Sequence, residues 1–218
     1  MRLYSVETRK RSRSRSGFTV DRGFRAHLIG FNLSRLGASR DTVYVVDKEL
    51  QIRGFNHTFE RSARRLDDRD WLRHYGLGFP VLEGFTSFYG DHYGRIYLRC
   101  LAEGVSHTAV YGCATPLAFR WYRESVKPLA GGAGLLITHR LLASTRRSEA
   151  PCFDQKVHRN ADGLVLQCCH CERIRNIELE NRWEWLPDLP ADLELGLSHG
   201  LCPHCLDTYY GDLIPEQD

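Results

Sequence analysis

Ala118-Phe-Arg-Trp-Tyr-Arg-Glu-Ser-Val-Lys-Pro128 alternates bulky and charged side chains along its length. Successive side chains of an extended chain leave opposite faces, so Phe119, Trp121 and Arg123 share one face and Arg120, Tyr122 and Glu124 the other. The stretch predicts a long strand. A second candidate, Ser106 to Ala114, precedes it, and a third, Gly134-Leu-Leu-Ile-Thr-His-Arg-Leu141, follows it. Thr115-Pro116 and Ala130-Gly-Gly132 are the turns between them.

Working towards the N-terminus, a helix is expected over roughly Phe85 to Ala102. It carries Phe88, Tyr89, Tyr93, Ile96, Tyr97, Leu98 and Leu101, and a loop rich in Gly, Pro and aromatic residues leads into it. Residues Arg61 to Arg73 are dense in both charges and predict an exposed helical or loop stretch. Thr42-Val-Tyr-Val-Val-Asp47 and Leu50-Gln-Ile-Arg-Gly-Phe55 read as a hairpin turning at Asp47-Lys48. Asn56 stands where a helix would be capped. Two strands, helices and then three long strands make an α+β arrangement with an antiparallel sheet. Phe24, Leu28, Phe31, Leu33 and Leu36 fall near one helical stripe. They predict an amphipathic flanking helix over 23–40, stopped by Gly37, that packs on the domain's own sheet or on a second copy in a dimer. Arg9-Lys-Arg-Ser-Arg-Ser-Arg-Ser-Gly17 has no apolar side chain, and residues 1–22 are expected to be a disordered basic arm, either a solvated leader or a contact for phosphates or an acidic partner.

Working towards the C-terminus, Ala143-Ser-Thr-Arg-Arg-Ser-Glu-Ala-Pro151 reads as the start of a linker over 143–163. A cysteine module is expected over 164–218. It holds Cys168 and Cys171 in Leu166-Gln-Cys-Cys-His-Cys171, then Cys202 and Cys205 in Ser198-His-Gly-Leu-Cys-Pro-His-Cys205. Each Cys-x-x-Cys can turn two thiolates the same way, and four thiolates suit a closed, structural Zn2+ site. Trp183, Trp185 and Leu186, between the pairs, offer the small apolar patch such a module needs. Cys169, His170, His199 and His204 lie close enough in sequence to replace one cysteine, with Cys169 and His199 the foremost substitutes. A dithiol redox switch and simple space filling are the other readings. A disulfide pair fits poorly, because the N-terminus does not resemble a signal peptide and a chain of 218 residues needs no staples.

The net charge of +3 is too small to argue for nucleic acid by itself. No apolar run approaches the roughly 20 residues of a membrane helix, so the expectation is a cytoplasmic protein with no membrane partner.

Two resemblances rest on these residues. The stretch from about Thr42 to Leu142 (domain 41–142) resembles a PAS domain of the bacterial signalling type. The matching segments are Val46-Asp-Lys-Glu-Leu50, Phe55-Asn-His-Thr-Phe-Glu60, the Arg-Trp-Tyr-Arg123 strand, Val126-Lys-Pro-Leu129 and Gly134 to His139. The stretch from Gln167 to Leu213 resembles a short cysteine module found after sensory or receiver domains. Cys168, Cys171, Ile174, Arg175, Trp183, Ser198, His199, Gly200, Cys202, Pro203, Cys205, Leu206 and Tyr209 stand at its positions.

The first resemblance implies a PAS-like five-stranded antiparallel sheet with flanking helices, and a pocket that in relatives holds haem, flavin or a metabolite, or serves dimerisation. The second implies a small C-terminal zinc-ribbon-like module. The neighbours of Cys100 are not those of flavin-photoadduct members. His92 and His107 bracket the place where haem-binding members carry an axial histidine.

The expected function is therefore a non-enzymatic bacterial signal-sensing protein. Its PAS-like domain would bind a ligand or form a homodimer with the help of the N-terminal helix, while the zinc tail contacts an unidentified signalling partner. The alternative is a nucleic-acid-binding transcriptional regulator using the zinc module and the basic arm. Against it stand Glu178, Glu180, Glu184, Asp188, Asp192, Glu194, Asp207 and Asp212 in the tail. No catalytic residues are expected, since the one concentrated site has its coordination sphere filled.

Overall fold

The computed structural model describes residues 17–66, 75–180, 182–190 and 196–211. Six strands form the larger sheet: β1 (Phe18–Val20), β2 (Thr42–Asp47), β3 (Ile52–Asn56), β4 (His107–Thr115), β5 (Ala118–Pro128) and β6 (Gly134–Arg146), in the order β1-β3-β2-β6-β5-β4. The pairings of β3 with β1 and of β2 with β3 and β6 are antiparallel. Between these strands the described residues form the helices α1 (Leu33–Ala38), α2 (His57–Leu66) and α3 (Ser87–Glu103). The chain is mixed α+β, as expected. Its compact units do not follow the expected boundaries. One comprises Met1–Thr108 with Glu124–Arg140, the other Ala109–Arg123 with Leu141–Asp218.

Strand β2 explains how the first unit is built. All but the first of its side chains are buried, because period-two alternation serves two cores at once. Tyr44 and Val46 face a core with Ile52, Phe55, Val81, Tyr97, Val126 and Ile137, to which α2 and α3 contribute. Val43 and Val45 face the other side, with Phe18, Val20, Phe24, Leu28, Leu129 and Leu136. Gly134 makes the join to β6 close-fitting, since a Cβ there would lie 1.9 Å from the Val46 carbonyl oxygen.

The expected arm over 1–22 ends earlier than its boundary. Phe18 and Val20 are almost wholly buried and pair with β3, whereas residues 1–16 lie outside those described. The flanking helix over 23–40 is also corrected. A 3-10 turn (Arg25–Leu28) and the short α1 replace it, separated at Gly30, whose φ of 98° is left-handed, and restarted by Asn32, which accepts from the Arg35 amide. Gly37 lies inside α1 rather than stopping it. The apolar stripe still packs on the sheet of its own chain. The charged stretch is helical as far as Leu66, and the part from 67 to 73 lies outside the described residues.

The linker over 143–163 is a further correction. β6 continues to Arg146, followed by a 3-10 turn (Arg147–Glu149) and by α4 (Gln155–His158). Residues Arg140 to Arg146 are exposed, and a strand whose ladder holds it can be as polar as a linker. In the second unit, β7 (Val165–Cys168), β8 (Ile174–Arg175), β9 (Trp183–Glu184) and β10 (Leu197–Gly200) form a sheet in the order β10-β7-β8-β9, with β10 parallel to β7. Val165, Ile174 and Leu186 are its buried centre.

Asn56 joins several elements of the first unit. Its Oδ1 accepts from the Phe59 amide, capping α2 as the sequence predicted, and from the Val43 amide. Its Nδ2 donates to the carbonyls of Leu36, Ser39 and Asp41. Replacing it leaves buried backbone groups without partners. Asn56→Ala is expected to cost about 2–4 kcal/mol, well above an ordinary cap, measured by urea unfolding.

Candidate metal centre

The two cysteine turns meet because of one register. β10 runs parallel to β7 with Gly200 opposite Cys168, so the turns that follow both strands leave the same end of the sheet. After β7, the chain closes tightly. The Cys168 amide donates to the Arg173 carbonyl, the Glu172 amide donates to the Cys168 carbonyl, and Glu172 adopts a φ of 60°. After β10, Cys202 caps the helix α5 (Pro203–Tyr210), its Sγ accepting from the Cys205 amide, with Pro203 in the first turn. Cys205 follows one turn later.

The result is a single group. The sulfurs of Cys168, Cys171, Cys202 and Cys205 all lie within 4.8 Å of one another, and every one of these residues is buried. Cys171 Sγ and Cys202 Sγ are 3.7 Å apart. That is far longer than a disulfide bond of about 2.05 Å. It matches the roughly 3.8 Å edge of a tetrahedron with metal–sulfur bonds of about 2.3 Å. The group could hold a metal ion.

The four thiols act on one another's protons. The bond with Cys171, aided by Cys202 and Cys205, pulls the Cys168 thiol far below the usual thiol range. The bond with Cys168 pushes Cys171 and Cys205 far above it. Cys202 is raised by Cys168 but brought to about 6 by Cys171 and Cys205. Four thiols this close cannot all ionise unless a cation lies among them.

Among the described residues, the group consists of these four cysteines, and the substitutes named from the sequence lie elsewhere. Cys169 is exposed, its amide donating to the Gly200 carbonyl. His199 is exposed on β10. His170 Nε2 is 3.2 Å from the Tyr210 hydroxyl, and His204 Nε2 is 2.9 Å from the Val110 carbonyl oxygen. Trp185 and Leu186 are buried as expected, and Trp183 is half-buried on β9.

One participant was missed by the sequence reading. Arg173 donates from Nε to Cys171 Sγ at 3.2 Å and from Nη2 to Cys202 Sγ at 3.1 Å. Its guanidinium carbon lies 4.7 Å from the centre of the Trp121 ring. A basic residue two places after a ligand was the available signal.

No protein-family model matches the chain, and no curated protein sequence matches it.

The first unit contains a second concentration of polar groups. Tyr97 Oη donates to Glu124 Oε1 at 2.9 Å, Tyr44 Oη lies 3.2 Å from Tyr97 Oη, and His139 Nε2 lies 3.3 Å from Tyr44 Oη. Glu124 is 1% exposed, and its Oε2 has no hydrogen-bond partner among the described residues. Burial pushes its carboxyl up to about 7, opposed by the bond from Tyr97, and burial holds His139 down at about 4. Of the haem-ligand candidates, His92 is buried on α3 with its ring edge-on to Tyr93, and His107 is half-buried at the start of β4.

The two shifted groups tilt stability in opposite directions. Between about 4.5 and about 7 the unfolded chain releases the Glu124 proton while the folded one keeps it, so rising pH removes stability across that window. Between about 6.5 and about 4 the unfolded chain protonates His139 first, so falling pH removes stability there. Glu124→Gln keeps the shape and removes the first effect. Urea unfolding at steps from pH 4.5 to pH 8 should show the variant gaining on the native protein as pH rises, by up to ~3 kcal/mol. A difference independent of pH would refute the assignment.

Proposed function

We propose that the protein is a non-enzymatic signal-sensing and interaction protein of the bacterial type, with a PAS-like first unit and a tail organised by structural zinc. The observation that carries this reading is the buried four-sulfur group. Soft thiolates in a tetrahedral cage select zinc over harder-ligand metals, and a cage whose corners are all sulfur leaves no position for substrate or activated water. The metal, when bound, supplies the cross-link that holds the two cysteine turns together. Cys168, Cys171, Cys202 and Cys205 would hold it.

The sensory assignment is supported by the order β2, β3, α2, α3, β4, β5, β6 along the chain, although most of β4 and the first half of β5 belong to the second unit. The Glu124, Tyr97, Tyr44 and His139 cluster lies inside the first unit, where a bound ligand would alter hydrogen bonding. The mechanism is a shift between populations: a ligand favouring one arrangement of the unit changes the face offered to a partner or to a second copy in a homodimer. Haem held through His92 or His107 would be one such ligand.

The second reading is nucleic-acid binding. It is favoured by a cavity of about 610 Å3 in the second unit lined by Arg120, Arg146 and Arg147 with Ser144 and Ser148, although Asp188 pairs with Arg147. Duplex affinity against salt separates the readings, because phosphate contacts give a steep slope.

Elemental analysis and an absorption spectrum test the first reading. The expected outcome is one zinc per chain and a colourless protein. Chelation should unfold the tail, seen as loss of near-ultraviolet dichroism and as new protease cleavage within 164–211. Soret bands would instead assign haem to the first unit. A protein that keeps its tail fold with no metal bound would overturn the zinc reading.

A further inference from the structure

Four thiolates around a divalent cation leave two negative charges in excess, buried where water cannot solvate them. Such a centre needs donors aimed at its sulfurs. Two come from the backbone: the Cys202 amide donates to Cys168 Sγ and the Cys205 amide to Cys202 Sγ, both at 3.4 Å. The other two come from Arg173, the one cation among the sulfur donors of the described residues.

We propose that Arg173 is a positioning residue of the metal centre, a cationic clasp that joins one thiolate of each cysteine turn and sets how slowly the metal leaves. The inference rests on the metal reading given above and extends it to a residue outside the ligand set.

The geometry suits that task. Nε and Nη2 lie on one edge of a planar guanidinium, and they meet two sulfurs 3.7 Å apart that belong to turns 31 residues apart in sequence. Lysine carries the same charge but has no fork with which to bridge both sulfurs. The plane is held in advance. Trp121 lies against it, the Phe119 ring centre is 5.9 Å from its central carbon, and Nη1 reaches the Trp183 carbonyl at 3.5 Å. Trp121 is itself met edge-on by His204, whose Nε2 is fixed on the Val110 carbonyl. A side chain ordered this way loses little entropy when the metal binds.

Metal loss to acid or to a chelator requires a thiolate to leave the ion and take a proton or another partner. With Arg173 donating to Cys171 and Cys202, either sulfur must first give up a charge-assisted hydrogen bond. Removing the clasp should therefore weaken retention while the four ligands stay in place.

The test compares the native full chain with Arg173→Ala and Arg173→Lys. Each is loaded with zinc, and transfer to an excess of chromogenic chelator is followed. Arg173→Ala is expected to release zinc roughly 10–100-fold faster and Arg173→Lys to fall between the two. With Co2+ in place of zinc, the sulfur-to-cobalt charge-transfer band of Arg173→Ala should move to lower energy while the ligand-field bands keep their tetrahedral pattern. A purely structural role would not produce that shift. Native release rates and charge-transfer energies in both variants would overturn the clasp and leave the zinc reading intact. If Arg173→Ala does not fold, Arg173→Lys decides, and a native rate in it overturns the proposal. A native chain that binds neither metal overturns both readings.

Discussion

The second unit depends on the parallel alignment of β7 and β10. Two strands that run the same way finish at the same end, so whatever follows each of them is delivered to one place. Here Cys-x-x-Cys follows each, and four sulfurs arrive in mutual contact. Had β10 run antiparallel, the turns would have been a strand length apart. Burying four thiols is unfavourable without something to satisfy them, and the backbone amides of Cys202 and Cys205 and the guanidinium of Arg173 are placed to do so.

The first unit solves a different problem. Its middle strand is covered on both sides, so the polar groups that end up inside must find partners from distant segments. Asn56 does this with five hydrogen bonds spread over both ends of its side chain. Asp47 is satisfied within its own hairpin, accepting from the amides of Glu49 and Gln51 and from Arg53. Among the described residues Glu124 is hydrogen-bonded on one oxygen only, and burial pushes its carboxyl up to about 7. Satisfied polar groups of this kind fix an architecture. Half-satisfied ones are where it can be perturbed.

Much of this was legible in the chain. The hairpin at Thr42, the Asn56 cap, the aromatic helix and the three long strands follow from side-chain periodicity and turn chemistry, which are local. The four-cysteine group was legible because the spacing of Cys168 and Cys171, repeated at Cys202 and Cys205, states its own geometry. What escaped were features decided by long-range contact. Gly30 broke an apolar stripe that looked continuous, because a stripe records which residues are buried and not whether one helix carries them. The exposed end of β6 read as a linker because ladder bonds leave no trace in composition. Glu124 read as one of a strand's alternating charges, and only its neighbours on α3 and β6 show that it is interior. Arg173 was hidden in the same way, since its partners Cys202 and Trp121 lie far along the chain in either direction.

The two cysteine turns also act on the chain between them. Residues 172–201 leave one cysteine turn and return to the other, and β8, β9 and β10 lie among them, so the segment is held at its strands as well as at its ends. A loop anchored in this way becomes only slightly harder to close as it lengthens, by about 0.6 kcal/mol for each doubling. Length can therefore drift in the connections between β8, β9 and β10 while the strands and the two cysteine turns stay fixed. A lineage could reshape the surface it presents, by insertion or deletion, without redesigning what holds it.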